Sequence, residues 1–261
     1  MDAAVYADGP LRGLWSAGRS LLKASFDELL PPTCLTCDQR TTQAGCFCSQ
    51  CWKEIDFTPA CVCQQCSCPM PASSVPKSPT PYPIQCLQCL LKPPPFAETV
   101  APFLYNQRIA KAILALKYGD QPPLATQFAE HMARRITATA AVPPSEIDAL
   151  VAVPLHWRRL LGRKYNQSAE IARSLAARLD IPFAPKGLTR TRATQVHRRM
   201  SATRRYQNLR GAFHCAVPPG KTVALIDDVM TSGATLQTCA RALRKAGVQR
   251  VVVWVVARVG I

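Results

Sequence analysis

The fold is decided by one stretch of the sequence, Thr222-Val-Ala-Leu-Ile-Asp227-Asp228-Val-Met-Thr231-Ser232-Gly233-Ala234-Thr235. It begins as an apolar run with β-branched residues, which is typical of a buried strand, and the run ends in two adjacent carboxylates. A turn of small and hydroxyl-bearing residues follows, and the next residues, 236–246, have the pattern of a helix. The stretch therefore predicts a strand, a short polar loop and a helix that begins directly after the loop.

The predicted loop has the composition of a phosphate-binding site. Backbone N–H groups at the start of a helix point towards an anion, and the positive end of the helix dipole favours the negative charge. Two small residues allow the backbone to approach a ligand closely, and three hydroxyl groups add donors. The residues expected to bind the phosphate are Thr231, Ser232, Gly233, Ala234 and Thr235.

Asp227 and Asp228 lie at the carboxyl end of the predicted strand, directly before the loop. Such a pair is suited to a sugar diol or a divalent metal ion, and beside a phosphate loop it indicates a ribose 5-phosphate ligand. The alternative is a strand that ends in two aspartates by coincidence before a capped helix. The stretch is neither a Walker loop nor a Gly-x-Gly-x-x-Gly fingerprint. It resembles the phosphoribosyl diphosphate (PRPP) motif of type I phosphoribosyltransferases, in which two acidic residues precede a Thr/Ser-Gly-x-Thr loop.

The length and composition indicate a globular protein. A chain of 261 residues that is 48% apolar can bury a core and leaves room for a second, small domain. The apolar run at 251–257 is too short to span a bilayer, so we expect no transmembrane segment. The N-terminus carries Asp2 and Asp8 and lacks the basic start of a signal peptide. These observations predict a soluble, cytoplasmic protein.

The net charge of +16 is concentrated in one part of the chain. Between His156 and Arg210, 14 Lys and Arg residues stand against Glu170 and Asp180, a net charge of +12. Such a charge favours a polyanionic partner, of which nucleic acid is the most common. The alternatives are that some of these cations bind pyrophosphate and that the others form a solvated surface.

Eleven of the 13 cysteines lie between Cys34 and Cys89. Two thiolates in a C-x-x-C spacing can supply half of a tetrahedral zinc site, and two such pairs complete it. The sequence predicts a first site and a second site, with loops of 10 and 19 residues between their pairs. The expected ligands are Cys34, Cys37, Cys48 and Cys51 in the first site, and Cys63, Cys66, Cys86 and Cys89 in the second.

Other arrangements of the cysteines stay open. One zinc ion instead of two, or a set of disulfides, would use the same residues, although the expected lack of an export signal argues against disulfides. Cys46, Cys61 and Cys68 are each separated from an expected ligand by one residue and could exchange with it.

Composition divides the chain into three parts. Leucines at helical intervals predict an amphipathic helix within residues 1–30, which Pro31-Pro32 ends. Residues 31–95 are expected to form a double zinc ribbon. From 96 to 261, strands and helices alternate, which is the pattern of a parallel α/β sheet. The predicted strands are 99–105, 149–155, 181–189, 221–226 and 248–257, and the predicted helices are 108–118, 123–138, 166–179 and 236–246.

Three segments together resemble the ComF family, which includes competence proteins and GntX-like proteins. The first is the cysteine-rich part that ends in Leu-Lys-Pro-Pro-Pro (91–95). The second is Val-Pro-Leu-His-Trp-Arg-Arg-Leu-Leu-Gly-Arg-Lys-Tyr-Asn-Gln (153–167), similar to the family's Val-Pro…Arg-Gly-Phe-Asn-Gln. The third runs from Thr189 through Arg205-Tyr-Gln-Asn208-Leu-Arg-Gly-Ala-Phe213 into the PRPP loop. One departure is Lys164-Tyr165, where the family commonly has Gly-Phe. Lysine stiffens a loop that glycine would leave flexible.

The resemblance implies a type I phosphoribosyltransferase fold that binds PRPP with magnesium. Carried onto this sequence, it implies Asp227 and Asp228 as the catalytic pair that holds the ribose hydroxyls, and 231–235 as the 5-phosphate loop. The position of the pyrophosphate-binding loop corresponds to Val153, Pro154, Leu155 and His156. The candidates to neutralise the diphosphate are Arg158, Arg159, Arg163 and Lys164.

The resemblance favours an enzyme in which a nucleophilic acceptor displaces pyrophosphate from C1 of PRPP, but the sequence does not identify the acceptor. It links the chain to DNA uptake in natural transformation or to nucleotide metabolism. The competing hypothesis is a non-catalytic adaptor that senses PRPP and binds single-stranded DNA, together with a partner from the competence machinery. DNA bases could then stack on Trp52, Trp157 and Tyr165.

Overall fold

The computed structural model describes residues 33–34, 36–37, 39–42, 47–74, 84–119, 123–192 and 208–260. The expected N-terminal helix, Cys46 and the arginine-rich segment 193–207 lie outside these ranges. Within them, no helix is long and apolar enough to cross a membrane.

A parallel sheet forms the centre of the protein. Its middle strands are β6 (Thr222–Met230) and β7 (Arg250–Arg258), which pair with each other in parallel. β3 (Ala149–Ala152) pairs with the other edge of β6, and both β1 (Thr99–Val100) and β2 (Phe103–Leu104) pair with the other edge of β7. All of these pairs are parallel, so the predicted α/β class with a parallel sheet is confirmed.

Helices cover both faces of this sheet. α4 (Pro123–Thr139) and α6 (Gln167–Leu179) pack on the face that contains Ala224 of β6. α7 (Ala234–Lys245) packs on the opposite face, which contains Val223. Because both faces are covered, β6 and β7 are buried and apolar along most of their length, as expected for a parallel sheet.

Two further helices carry residues of the site. α3 (Gln107–Tyr118) begins after Asn106, whose Oδ1 accepts a hydrogen bond from the backbone N–H of Ile109 at 3.0 Å. The last turn of α3 brings Lys117 to β6. α5 (Trp157–Arg163) follows β3 after a short loop and was not predicted from the sequence.

The expected strand over 99–105 is divided into β1 and β2. Pro102 lies between them, and proline has no N–H group to donate to β7. The backbone carbonyl of Pro102 instead accepts a hydrogen bond from the N–H of Thr58 at 3.0 Å. This hydrogen bond at the break between β1 and β2 connects the cysteine-rich part to the sheet.

The expected strand over 181–189 does not form as a strand. Phe183 makes an isolated parallel bridge with Leu150 of β3, and the two prolines at 182 and 185 interrupt a longer ladder. The chain instead forms a short antiparallel pair, β4 (Thr189–Arg190) with β5 (Phe213–His214). Two short 3₁₀ helices complete the described elements, Ala72–Ser74 and Pro144–Glu146.

The cysteine-rich part contains two short helices, α1 (Ser49–Lys53) and α2 (Leu87–Leu91). Each begins directly after a cysteine and carries a second, buried cysteine in its first turns. The part near α1 packs on the sheet through an aromatic cluster in which the ring of Phe103 lies 6.3 Å from Phe47 and 5.1 Å from His131.

Candidate functional site

Asp227 and Asp228 lie near the end of β6, where three side chains from other elements meet them. Oδ2 of Asp228 lies 2.6 Å from Nζ of Lys117 and accepts a hydrogen bond from Nε2 of Gln167 at 3.3 Å. Asp228 is only 6% exposed, so this ion pair is largely shielded from water. Asp228 is therefore held by an ammonium group and an amide in a shielded position.

Asp227 is held differently from its neighbour. Its Oδ1 accepts hydrogen bonds from Oγ of Ser168 and from the backbone N–H of Asp228, each at 2.9 Å. Burial, and secondarily the adjacent charge of Asp228, raise the pKa of Asp227 to about 7. The pair therefore combines a carboxylate with an ammonium partner and a second carboxyl group that titrates near neutral pH.

Three residues of this site were not expected from the sequence: Lys117, Gln167 and Ser168. Gln167 and Ser168 begin α6, and the signal for them was the Asn166-Gln167 pair within the segment that resembles ComF. Asn166 caps α6, and its Nδ2 donates to the carbonyl of Val153 at 3.0 Å. That hydrogen bond connects α6 to the loop after β3. No local pattern marks Lys117, because only the tertiary fold brings α3 to β6.

The expected loop and helix follow β6, and the helix, α7, begins at Ala234, two residues before its expected start. Gly233 is the N-cap residue of α7 and has φ +72°, in the left-handed region that glycine adopts without strain. A Cβ atom there would also lie 2.8 Å from Cε of Met230. Gly233 offers no side-chain cap to α7, so the first N–H groups of the helix are free of side-chain caps. The side chains of Thr231 and Ser232 are exposed beside them.

The loop after β3 lies next to the acidic pair because β3 and β6 are parallel neighbours. Ala152 pairs with Ile226, and the N–H of Val153 donates to the carbonyl of Ile226 at 2.9 Å. Val153 and His156 are buried, whereas Pro154 and Leu155 are partly exposed. The structure thus brings the expected pyrophosphate loop and the expected ribose-binding pair to the same edge of the sheet.

Two of the four expected cations, Arg163 and Lys164, line the same small cleft as Lys117. Arg163 lies over the ring of Tyr118, 4.8 Å from its centre, and its Nη2 donates to the phenol oxygen at 2.8 Å. Lys164 follows α5 and is exposed. The backbone of α5 contains residues 158 and 159, but the side chains of Arg158 and Arg159 lie outside the described part of the structure.

The cysteines form two clusters that match the predicted sets. The four sulfur atoms of Cys34, Cys37, Cys48 and Cys51 lie within 4.8 Å of one another, and so do those of Cys63, Cys66, Cys86 and Cys89. The distance between Sγ atoms is 3.6 Å for Cys37 and Cys48 and 3.7 Å for Cys66 and Cys86. A tetrahedral zinc ion with four bonds of about 2.3 Å places its sulfur ligands about 3.8 Å apart. Both clusters are therefore compatible with structural zinc.

The same distances argue against disulfides. A disulfide needs a separation of about 2.05 Å between sulfur atoms, and all described cysteines are free. Cys61 and Cys68 lie outside both clusters, and Sγ of Cys61 donates to the carbonyl of Pro71 at 3.5 Å. In the second cluster, the hydrogen bond from Cys66 lowers the pKa of Cys63, which favours the thiolate form that zinc binds.

These features define a class of protein: a type I phosphoribosyltransferase domain with an N-terminal cysteine-rich part that has two potential zinc sites. The family described as phosphoribosyl transferase domain matches residues 166–260 of the chain, which include α6, the acidic pair and the loop.

Similar proteins extend the comparison beyond that domain. DNA utilization protein YhgH of Escherichia coli (strain K12) is 31% identical over 218 residues, 81% of this chain and 90% of that protein. Competence protein F of Haemophilus influenzae is 31% identical over 217 residues, again 81% of this chain and 90% of that protein. DNA utilization protein YhgH of Salmonella typhi is 32% identical over 204 residues, 76% of this chain and 84% of that protein. The chain belongs to the ComF family, together with these competence and DNA utilization proteins.

The position of Lys164 generates a first prediction. Lys164 has φ +62°, which costs a residue with a Cβ atom about 1 kcal/mol relative to glycine. Lys164→Gly removes this strain but gives the unfolded chain more freedom, so we expect a net stabilisation of about 0.5 kcal/mol in urea unfolding. Lys164→Ala is the matched control, because it removes the ammonium and keeps the Cβ atom. Equal stabilities of the two variants would contradict the assignment of strain.

The raised pKa of Asp227 generates a second prediction. A carboxyl group with a raised pKa stabilises the fold most below its unfolded pKa of about 4, and this contribution is lost as the pH rises towards about 7. Asp227→Asn removes this titration. We therefore expect the Tm of the variant minus the Tm of wild type to become more positive as the pH rises from about 5 to about 8.

Asp148 provides the control with the opposite sign. Backbone N–H groups of Thr222 and Lys221 lower its pKa, so its charged form stabilises the fold. Asp148→Asn should lower the Tm relative to wild type at both ends of this pH range. A constant difference in Tm between Asp227→Asn and wild type across this range would show that Asp227 does not titrate there.

Proposed function

We propose that this protein binds PRPP with magnesium at the edge of the sheet formed by β3 and β6. The observation that carries the proposal is the shielded acidic pair near the end of β6. Only Val229 and Met230 separate this pair from a loop whose helix has no side-chain cap. One end of this arrangement suits a sugar diol and the other suits a phosphate. A ribose 5-phosphate unit carries both of these groups.

Each part of PRPP has a matching group. Asp227 and Asp228 would hold the ribose hydroxyls as the catalytic pair, and residues 231–235 would hold the 5-phosphate through N–H and hydroxyl donors. The loop 153–156 would hold the pyrophosphate, with Arg158, Arg159, Arg163 and Lys164 as the candidate cations. Arg163 would have to leave Tyr118 to take part in this contact.

Lys117 would affect the binding of the sugar in this proposal, because its ammonium group contacts Asp228. A ribose hydroxyl that donates to Oδ2 of Asp228 would compete with the ammonium group, which lies 2.6 Å away. Lys117 is partly exposed, so its ammonium can move towards the pyrophosphate when the sugar binds. The same cation would pair with Asp228 before binding and with the pyrophosphate afterwards.

The chemistry that this site supports is the transfer of the phosphoribosyl group. The bond between C1 and the pyrophosphate oxygen breaks, the acceptor forms a bond to C1, and the acceptor loses a proton. Negative charge develops on the departing pyrophosphate, so cations and oriented N–H groups lower the barrier. Magnesium bound to PRPP would supply further neutralisation, and the carboxylates are oxygen ligands of the kind that it prefers. The chemical class of the acceptor stays open in this proposal.

We also propose that each cysteine cluster holds one structural zinc ion. Four sulfur ligands with tetrahedral spacing form a closed site, which is the type that stabilises a fold rather than one that activates water. The domain boundaries expected from composition, 1–30, 31–95 and 96–261, stay part of the proposal.

Calorimetry with and without magnesium tests PRPP binding, on protein whose zinc content has been measured. We expect Asp228→Asn to weaken PRPP binding by a factor on the order of 100, because a charged hydrogen bond to the sugar is worth roughly 2–3 kcal/mol. Glu146→Gln is the control, since Glu146 forms an exposed ion pair with Arg250 and lies outside the site. If Asp228→Asn binds PRPP as tightly as wild type, the sugar site is misplaced.

A second proposed role concerns DNA. The names of the two kinds of relatives refer to DNA utilization and competence, and the part from 156 to 210 carries a net charge of +12. Trp157 is 57% exposed at the start of α5, where a base could stack on its ring. In this role the protein binds single-stranded DNA during uptake, with PRPP as a sensed ligand and a competence protein as a partner.

The salt dependence of DNA binding tests this role. Replacement of Arg198, Arg199, Arg204 and Arg205 by alanine should reduce the slope of log K against log salt by about 3, because each cation contributes about 0.7 on single strands. The control replaces four exposed cations elsewhere, Lys53, Lys111, Arg134 and Lys245. An unchanged slope in the first variant would remove this segment from the DNA-binding surface.

A further inference from the structure

Arg258, the last residue of β7, connects three separate parts of the chain. Its Nε donates to the carbonyl of Cys66 at 2.8 Å. Its Nη1 donates to the carbonyls of Met230 at 3.1 Å, Thr231 at 2.7 Å and Val259 at 2.5 Å. One guanidinium group therefore links the second cysteine cluster to the first residues of the phosphate loop.

The electrostatic surroundings of Arg258 are unusual. The residue is 3% exposed, and in the described part of the chain no carboxylate pairs with it. A buried cation without a negative partner is costly, and neutral carbonyl groups offset only part of that cost. An additional source of negative charge near Arg258 would stabilise it in this position.

The second cysteine cluster supplies such a charge when it holds zinc. Four thiolates around one Zn²⁺ ion leave a net charge of −2, and Cys66, whose carbonyl accepts from Arg258, is one of the four. Cys66, Cys89 and Arg258 line the same cleft of about 350 Å³, together with Ser232 of the loop. The metal site, the arginine and the loop therefore lie side by side.

The first cysteine cluster has no comparable connection. It packs against the aromatic rings around Phe103, on the face of the sheet that α4 covers. Among the hydrogen bonds of the described residues, none joins a cysteine of the first cluster to Met230 or Thr231. Only the second cluster is therefore connected by these hydrogen bonds, through Arg258, to the phosphate loop.

We propose that Arg258 is a positioning residue that makes the shape of the phosphate loop depend on zinc in the second cluster and not on zinc in the first. The inference rests on the proposed function, because it assumes that this loop binds the 5-phosphate. Arg258 fixes the carbonyls of Met230 and Thr231, and these residues set the direction in which the chain enters the turn at Gly233. A loop held in its binding conformation loses less entropy when the phosphate binds.

The test uses the full chain and two matched pairs of cysteine substitutions. Cys86→Ser with Cys89→Ser removes the pair around α2 in the second cluster, and Cys48→Ser with Cys51→Ser removes the equivalent pair around α1 in the first. Arg258→Gln and Arg258→Lys complete the set. Each protein is examined for zinc content, for amide hydrogen exchange of residues 229–236 and for PRPP binding by calorimetry.

We expect Arg258→Gln to keep both zinc ions, to increase amide exchange in the loop at least about tenfold and to weaken PRPP binding at least about tenfold. Arg258→Lys keeps the charge but loses the multiple hydrogen bonds, and should be intermediate. The second-cluster variant should reproduce the effects of Arg258→Gln. The first-cluster variant should lose one zinc ion and leave loop exchange and PRPP affinity within about twofold of wild type.

The two readouts separate this inference from the proposed function. If the wild-type protein does not bind PRPP, the proposed function fails while loop exchange still decides the role of Arg258. Unchanged loop exchange in Arg258→Gln with both zinc ions present overturns the inference, and so do equal effects of the two cysteine variants. If Arg258→Gln does not fold, stepwise removal of zinc from the wild type by a chelator, with alkylation of the released cysteines, gives the same comparison.

Discussion

The parallel pairing of β6 with β7, from Thr222 with Arg250 to Met230 with Arg258, is the interaction on which the remaining structure depends. Both strands are buried under helices, so a shift of one residue in register would exchange the side chains of the two cores. The carboxyl ends of parallel strands meet at one edge of a sheet, and this edge collects the acidic pair of β6, the loop after β3 and the guanidinium of Arg258. The site is a consequence of this register.

Two adjacent carboxylates in a shielded position would repel each other without neighbouring groups. α3 supplies an ammonium to Asp228, and α6 supplies an amide to Asp228 and a hydroxyl to Asp227. Burial, and after it the charge of Asp228, still raise the pKa of Asp227 to about 7, so these neighbours do not offset both effects in full. A ligand that brings hydroxyl donors and a magnesium ion would reduce the repulsion further, which agrees with the proposed binding of PRPP.

The two cysteine clusters have similar internal geometry but different surroundings. The first packs against aromatic rings at the edge of the core that α4 covers, where it contributes to stability. The second lies beside the phosphate loop and is linked to it by Arg258. In the inference drawn for Arg258, this difference separates a purely structural zinc site from one whose occupancy affects ligand binding.

The sequence by itself determined the local units: the strand, loop and helix around Asp227 and Asp228, and both sets of four cysteines. These depend on patterns within a few residues or on spacings between identical residues, which a linear chain displays directly. Two predicted strands are interrupted at the prolines at 102 and 182. A proline breaks a strand only where a neighbouring strand needs its N–H, and the sequence does not show which strand is the neighbour. Only the tertiary structure decided that Lys117 reaches Asp228 and that Arg258 joins Cys66 to Thr231. These contacts join residues far apart in the chain, and their distances follow from the order and register of the strands, which no local pattern encodes.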